Sequence, residues 1–235
     1  TNAPGSRHTK RYQDVEELLQ AGIHVYTTVN VQHLESLHDL VSSITGIEVS
    51  ERIPDRVFDR AEQVELVDIE PDELMKRLQT GKVYRERQAR QALSHFFSVD
   101  NLRALREIAM RRTADQLNRV AVNGGKEKSA KAGEHILICL SSAPSNAKVT
   151  GGDCVERIAK DAEHQQGALT IFTSYFSGTG KTYRMLETAR RMRQAGCDVV
   201  IGLLARNQWP QTAALAQEFE EIPRQPGSAP GTLFD

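Results

Sequence analysis

Leu169-Thr170-Ile171-Phe172-Thr173-Ser174-Tyr175-Phe176-Ser177-Gly178-Thr179-Gly180-Lys181-Thr182 is the stretch that decides the fold. Leu169 to Thr173 reads as a buried strand, a loop of small residues follows, and Lys181 to Gln194 has helical spacing. A strand that runs through such a loop straight into a helix is built to hold an anion. Backbone N–H groups turn inward around it, and the positive end of the helix faces the same charge. In this setting Lys181 would neutralise the β and γ phosphates of a nucleoside triphosphate, and Thr182 would place its hydroxyl on Mg²⁺. Ser177, Gly178, Thr179, Gly180, Lys181 and Thr182 are therefore the expected binding residues, with ATP and Mg²⁺ as the expected cofactors. The full pattern is G-x-x-x-x-G-K-S/T, and Tyr175 stands where its first glycine would be. The weight of the match rests on the strand before the loop and on Gly178. The alternative is a strand-to-helix turn with no ligand.

The alternation continues on both sides of this stretch. Val15, Leu18 and Leu19 give residues 12–20 helical spacing, and Ile23 to Val31 is a β-branched, apolar run that reads as a strand. Leu34, Leu37, Leu40 and Val41 predict a helix over 33–43, and Val64 to Ile69 a strand. Pro71 suits the first turn of a helix over 71–79, with Asp72 and Glu73 at its positive end. Helices are expected near 84–97 and 100–122, the second with Leu102, Leu105, Ala109, Leu117 and Val120 near one face. Residues 124–133 read as a polar linker, and Ile136–Leu140 as one apolar strand. A short helix is expected over 155–163, a strand over 197–204, a helix over 211–218 and an irregular tail over 223–232. Buried strands alternating with helices predict an α/β fold, P-loop-like and doubly wound, with a mostly parallel sheet and helices on both faces.

Composition sets outer bounds. The chain has 235 residues, with 30 basic and 31 acidic side chains and a formal charge of -1. That balance gives no global footprint for nucleic acid, so no nucleic-acid partner is expected. No apolar run approaches a membrane span, and the N-terminal stretch lacks a signal-peptide pattern. Cys139, Cys154 and Cys197 lie far apart with no C-x-x-C spacing, which fits a reducing, cytoplasmic setting. Both ends read as cut, so the sequence is expected to be a piece, or a rearrangement, of something longer.

Several stretches resemble the sensor region of the KdpD-type osmosensitive potassium sensor histidine kinases. They are Thr1-Asn2-Ala3-Pro4-Gly5-Ser6-Arg7-His8, Lys10-Arg11-Tyr12-Gln13-Asp14-Val15, and Tyr26-Thr27-Thr28-Val29-Asn30-Val31-Gln32-His33-Leu34-Glu35-Ser36. The glycine loop with its continuation Tyr183-Arg184-Met185-Leu186-Glu187 is similar to that family's variant Walker A, which extends the assigned site to Tyr183. Trp209-Pro210-Gln211-Thr212 is similar to the strand–helix junction that follows it. The resemblance implies an ATP-binding cytoplasmic region that regulates kinase and phosphatase output, with the kinase's remaining domains as partners. It implies that 1–123 and 153–235 are two halves of one sensor domain, and that 134–149 opens a universal-stress-protein-like domain. In some relatives that domain binds cyclic di-AMP. Ser141, Ser142 and Ser145 lie in the corresponding neighbourhood, but the rest of that domain is missing and no dinucleotide site is expected. The family order is reversed here, as in a circular permutation joined near Thr150-Gly151-Gly152. A strand ending in an Asp-Glu pair, the family's metal-side motif, is missing, which leaves the sheet one central strand short unless Ile136–Leu140 fills the gap.

Other residues carry two readings each. Thr27, Thr28 and Asn30 lie near the carboxyl end of a strand, where ligands of open α/β sheets sit. Asn30 or Gln32 is a candidate sensor of the γ-phosphate, or else a polar cap. Arg7 and His8 sit in a Gly/Pro loop that suits a lid, with Arg7 as a charge-stabilising arm, or a solvated loop. Asp68 is a candidate metal-side acid or a surface aspartate before the Pro71 helix. His33 and His38 read as helix-surface residues. Arg85, Arg87, Arg90, Arg103, Arg106, Arg111 and Arg112 make the middle basic, either for an anionic membrane surface or as solvated helix faces. Three functions follow: a regulatory ATP-binding module, a P-loop ATPase or kinase in its own right, or a scaffold with an empty loop.

Overall fold

The computed structural model describes residues 2, 6–79, 98–123, 136–140, 166–204 and 209–222. The expected helices at 84–97 and 155–163, Arg85, Arg87, Arg90, the 124–133 linker, Ser141 to Ser145, Thr150–Gly152 and the 223–232 tail lie outside the described residues. The chain forms two compact units. The first comprises Thr1–Thr27, Ser129–Thr170 and Met185–Asp235, and the second Thr28–Lys128 with Ile171–Arg184.

The first unit is built on parallel strands. Helix α1 (Arg11–Gln20) leads into β1 (His24–Asn30), of which residues up to Thr27 belong here. β1 pairs in parallel with β3 (Ile136–Leu140), His24 against Leu137 and Thr27 against Leu140. β3 pairs in parallel with β5 (Asp198–Leu203), and β5 with the two-residue β6 (Glu220–Glu221). The first residues of β4 (Leu169–Ser174) lie on the other side of β1, so the strand order in this unit is β4-β1-β3-β5-β6. Ile136–Leu140 therefore takes a central place between β1 and β5, which is the gap the sequence left open.

Burial explains why α1 forms where it does. Val15, Leu18 and Leu19 share one face and are buried with Ile23 and Val25. Each large apolar side chain so covered contributes roughly 2 kcal/mol. The last ten residues of α6 (Lys181–Gln194) add Met185, Leu186 and Ala189, and α7 (Pro210–Ala216) adds Leu215. Asn2 and His8 are tied to α1 through Asp14. Asn2 Nδ2 donates to Asp14 at 2.5 Å, and His8 Nδ1 lies 2.8 Å from the same carboxylate.

The second unit carries the end of β1, two 3-10 turns (Val31–His33 and Glu35–Leu37) and α2 (His38–Thr45). It continues with α3 (Asp55–Asp59), β2 (Gln63–Leu66), α4 (Pro71–Gln79) and α5 (Val99–Asn123). Strand order here is β2-β4-β1, and Val67 N–H donates to the Thr173 carbonyl at 2.8 Å. The core joins Val31, Val41, Leu74, Leu78, Leu102, Leu105 and Ala109 to Tyr175 and Phe176. Arg106 of α5 fastens the β2–α4 connection, donating from Nε to both carboxylate oxygens of Asp68 at 2.9 Å and from Nη1 to Glu70 at 2.8 Å.

Some expectations need correction. The segment 33–43 is two 3-10 turns followed by α2, because Leu34 is fixed by a bridge to Ile53 and breaks the helical path. Leu40 and Leu117 are exposed rather than core. β2 ends at Leu66, not Ile69. α3 and β6, too short for a periodic signal, were not expected at all.

The closest backbone approach predicts a sharp sensitivity. Gly167 N–H donates to the Leu19 carbonyl at 2.7 Å, and a Cβ at 167 would lie 1.9 Å from the Ile23 carbonyl oxygen. Gly167→Ala is expected to lower unfolding stability by about 3 kcal/mol in urea denaturation, since backbone must move to admit it.

Candidate functional site

The loop after β4 is shaped by its own polar atoms. Gly178 and Gly180 have φ of 89° and 104°, in the left-handed region that favours glycine. At Gly180 an added Cβ would meet nothing within 4 Å, so the requirement is conformation and not room. Ser174 Oγ donates to the Phe176 carbonyl at 2.6 Å and fixes the strand-to-loop corner. Lys181 opens α6 and folds back over that corner. Its Nζ donates to Ser174 Oγ at 2.7 Å and to the Phe176 carbonyl at 2.8 Å. The side chain is buried, which pulls its pKa down to about 7.

Further polar groups stand on the loop, in the first turn of α6 and at the end of β1. Thr179 is buried, and Thr182 and Tyr183 follow Lys181 in the first turn of α6. Asn30, at the carboxyl end of β1, donates from Nδ2 to Ser177 Oγ at 3.1 Å. Its Oδ1 is buried without a hydrogen-bond partner, and so are Gln32 Oε1 and Thr173 Oγ1. Buried oxygens left like this mark a place where water or a ligand completes the network. His33 Nδ1 lies 3.2 Å from the Glu51 carbonyl, so Nδ1–H is the donor. Burial is the main cause that lowers the His33 pKa, and Lys181 adds to it. His33 and His38 are thus mostly covered, which corrects the helix-surface expectation; the His38 side chain is only 12% exposed.

Tyr175 answers the question posed by the missing glycine. It is fully buried in the core with α4 and α5, and its hydroxyl donates to the Ile69 carbonyl at 3.0 Å. Burial raises the pKa of that hydroxyl. The loop enters its turn from a fixed ring where the usual pattern has a bare glycine. From the outer side, Arg77 Nη1 of α4 donates to the Gly178 carbonyl at 3.2 Å. No sequence signal singled out Arg77, because it lies 101 residues from its partner. Ser174 opens the loop in the sequence but is not among the expected binding residues, which begin at Ser177; the structure adds it as the partner of Lys181.

Two expected residues are held by ion pairs. Asp68, the candidate metal-side acid, is engaged by Arg106, whose pKa rises chiefly through that bond and next through Glu70. It is a structural anchor. Arg7 belongs to the first unit and pairs with Glu17 at 2.6 Å. The basic middle is answered by acids: Arg103 by Asp100, Arg111 by Glu107, and Arg112 by Asp59. No described helix is long and apolar enough to cross a membrane.

The described residues form an α/β fold with a glycine-turned loop between strand and helix, and the comparisons give its family. The KdpD family model, described as the osmosensitive K+ channel His kinase sensor domain, matches residues 1–117 and 165–234. The chain belongs to this family. It is 44% identical over 225 residues to Sensor protein KdpD of Escherichia coli (strain K12), covering 94% of this chain and 24% of that protein. It is 52% identical over 153 residues to Sensor protein KdpD of Clostridium acetobutylicum, covering 63% and 17%. It is 46% identical over 150 residues to Sensor protein KdpD of Mycobacterium tuberculosis (strain ATCC 25618 / H37Rv), covering 62% and 17%. The chain thus spans 17% to 24% of the length of these relatives.

Tyr175 supplies a test of this geometry. Tyr175→Gly restores the usual phosphate-loop pattern yet empties a core position, so it is expected to destabilise the protein by about 4 kcal/mol. Tyr175→Phe keeps the ring and is expected to cost about 1 kcal/mol, the value of one hydrogen bond. Urea titrations of both variants read the difference.

Proposed function

We propose that this chain is a cytoplasmic, ATP-binding regulatory module of an osmotic and potassium sensor histidine kinase. Nucleotide in the Ser177–Tyr183 loop would bias contact with the kinase's other domains. The observation that carries this reading is the buried Lys181 ammonium, held by two oxygens of its own loop at the start of a 14-residue helix. Phosphates are better partners for that charge than a hydroxyl and a carbonyl, since charge-assisted bonds are roughly twice as strong as neutral ones. The N–H groups at the start of α6 and around Gly178 and Gly180 would face the same anion.

The metal side fits a hard cation that keeps its water. Among the described residues no group of three or more His, Cys, Asp or Glu is placed to hold a metal. Thr182 would offer one hydroxyl, with phosphate oxygens and water completing the shell of Mg²⁺. Bound there, Mg²⁺ would neutralise phosphate charge. Asn30 stands next to Ser177 with its Oδ1 unfilled, which suits it to accept from water at the γ-phosphate end and so to tell ATP from ADP. With Asp68 committed to Arg106, binding without rapid turnover is favoured over a P-loop ATPase acting in its own right.

Titration calorimetry of the 235-residue chain tests the reading. ATP with Mg²⁺ is expected to bind, and Lys181→Ala to weaken binding at least about tenfold through loss of a charged hydrogen bond. Equal affinity in the two proteins would exclude this loop as the site.

The lysine also gives a pH signature. Burial places its pKa at about 7 in the free protein, and bound phosphate raises it. Above pH 7 binding must therefore take up a proton, and affinity falls as pH rises, at most about tenfold per unit. Calorimetry at pH 8 in buffers of different ionisation heat should register that uptake, whereas an affinity flat from pH 7 to 9 would contradict it.

A further inference from the structure

Besides the bond from Asn30 to Ser177, hydrogen bonds join the glycine loop to α4 and to the segment leading into it. Tyr175 donates to the Ile69 carbonyl at 3.0 Å, and Arg77 to the Gly178 carbonyl at 3.2 Å. The Ile69 end is fixed, because its neighbours Asp68 and Glu70 both accept from Arg106 of α5. The Arg77 end is fixed by Glu73, one turn earlier on α4. Leu74 and Leu78 pack in the same core as Tyr175 and Phe176. The loop cannot change shape without loading α4 or breaking a tie to it.

On the reading of this loop as the nucleotide site, we infer that Arg77 is a positioning residue that sets the phosphate loop and transmits its occupancy to α4 and α5. The chemistry follows from the peptide that Arg77 touches. A guanidinium on the Gly178 carbonyl polarises that peptide and strengthens the following N–H, that of Thr179, as a donor. Its charge also raises the positive potential around the cradle. Phosphate would draw Lys181 from the Phe176 carbonyl, one of the contacts that shape the empty loop. Arg77 and Tyr175 carry the adjustment outward, because each is bonded to the loop at one end and packed or paired within the helical layer at the other. Occupied and empty loops then hold α4 in different contacts, which is what coupling between a site and an output surface requires.

Hydrogen–deuterium exchange of the 235-residue chain, with and without saturating ATP and Mg²⁺, tests the relay. In the wild type, ATP is expected to slow exchange both in the 174–182 loop and across Pro71–Gln79. Arg77→Ala is expected to bind ATP about fivefold more weakly, in keeping with the loss of one charged, partly exposed hydrogen bond. At saturation it should keep the loop protection and lose the slowing across Pro71–Gln79. Arg77→Lys should recover part of the affinity, since it restores charge without the planar fork. Undiminished slowing across Pro71–Gln79 in Arg77→Ala, with wild-type binding intact, would overturn the relay and leave the site standing. No ATP binding by the wild type would remove both. Should Arg77→Ala fail to fold, Tyr175→Phe cuts the other tie without changing the ring. Its slowing across Pro71–Gln79 is expected to fall measurably, and a wild-type response there would overturn the inference.

Discussion

A lysine ammonium buried at the start of a helix is the constraint on which the rest of this structure turns. Lys181 is 7% exposed, and its charge is met by Ser174 Oγ and the Phe176 carbonyl. Covering a charge is costly unless strong partners replace water. Two neutral oxygens are a weak replacement, and the fall of its pKa to about 7 records the deficit. An under-compensated buried cation at a helix N-terminus, with an unfilled buried oxygen on Asn30, is the observation behind the proposal that this loop binds an anion.

The loop that presents this lysine is part of a core. Tyr175 and Phe176 pack with residues of α4 and α5, so the backbone between them and Lys181 is anchored on both sides. An ordinary phosphate loop gains its entry turn from glycine. Here a buried aromatic ring, tied to Ile69, does the holding, and the left-handed conformations are kept for Gly178 and Gly180. The exchange makes loop geometry dependent on the helical layer. That dependence is what a regulatory module of the KdpD family would exploit, since a site isolated from its surroundings has nothing to report.

Much of this was legible in the sequence, for physical reasons that differ by element. α4 starts at Pro71 as expected, because proline and two acidic residues mark a helix N-terminus strongly. α6 runs from Lys181 to Gln194 as read, and β3 from Ile136 to Leu140, because small or polar residues bracket each. The α/β class follows from short, mainly apolar runs such as Ile136–Leu140 alternating with helical patterns. Legibility failed where tertiary contacts decide. The Leu34–Ile53 bridge breaks a helical pattern that the sequence suggests over 33–43. α5 is 25 residues long and presents Leu117 to solvent although its spacing matches the buried face. In the candidate site, the sequence singles out Lys181, Asn30 and the glycines through the motif and the strand ends, and the structure brings Asn30 against Ser177. Arg77 and the commitment of Asp68 to Arg106 were not, because those partners lie 101 and 38 positions apart.

A structure determined with a non-hydrolysable ATP analogue and Mg²⁺ tests the central claim most directly. The account predicts the phosphates inside the 177–182 loop, Lys181 Nζ within hydrogen-bonding distance of them, and its bond to the Phe176 carbonyl broken. Nucleotide bound elsewhere, or Lys181 still seated on Ser174 and Phe176 with the nucleotide present, would contradict it.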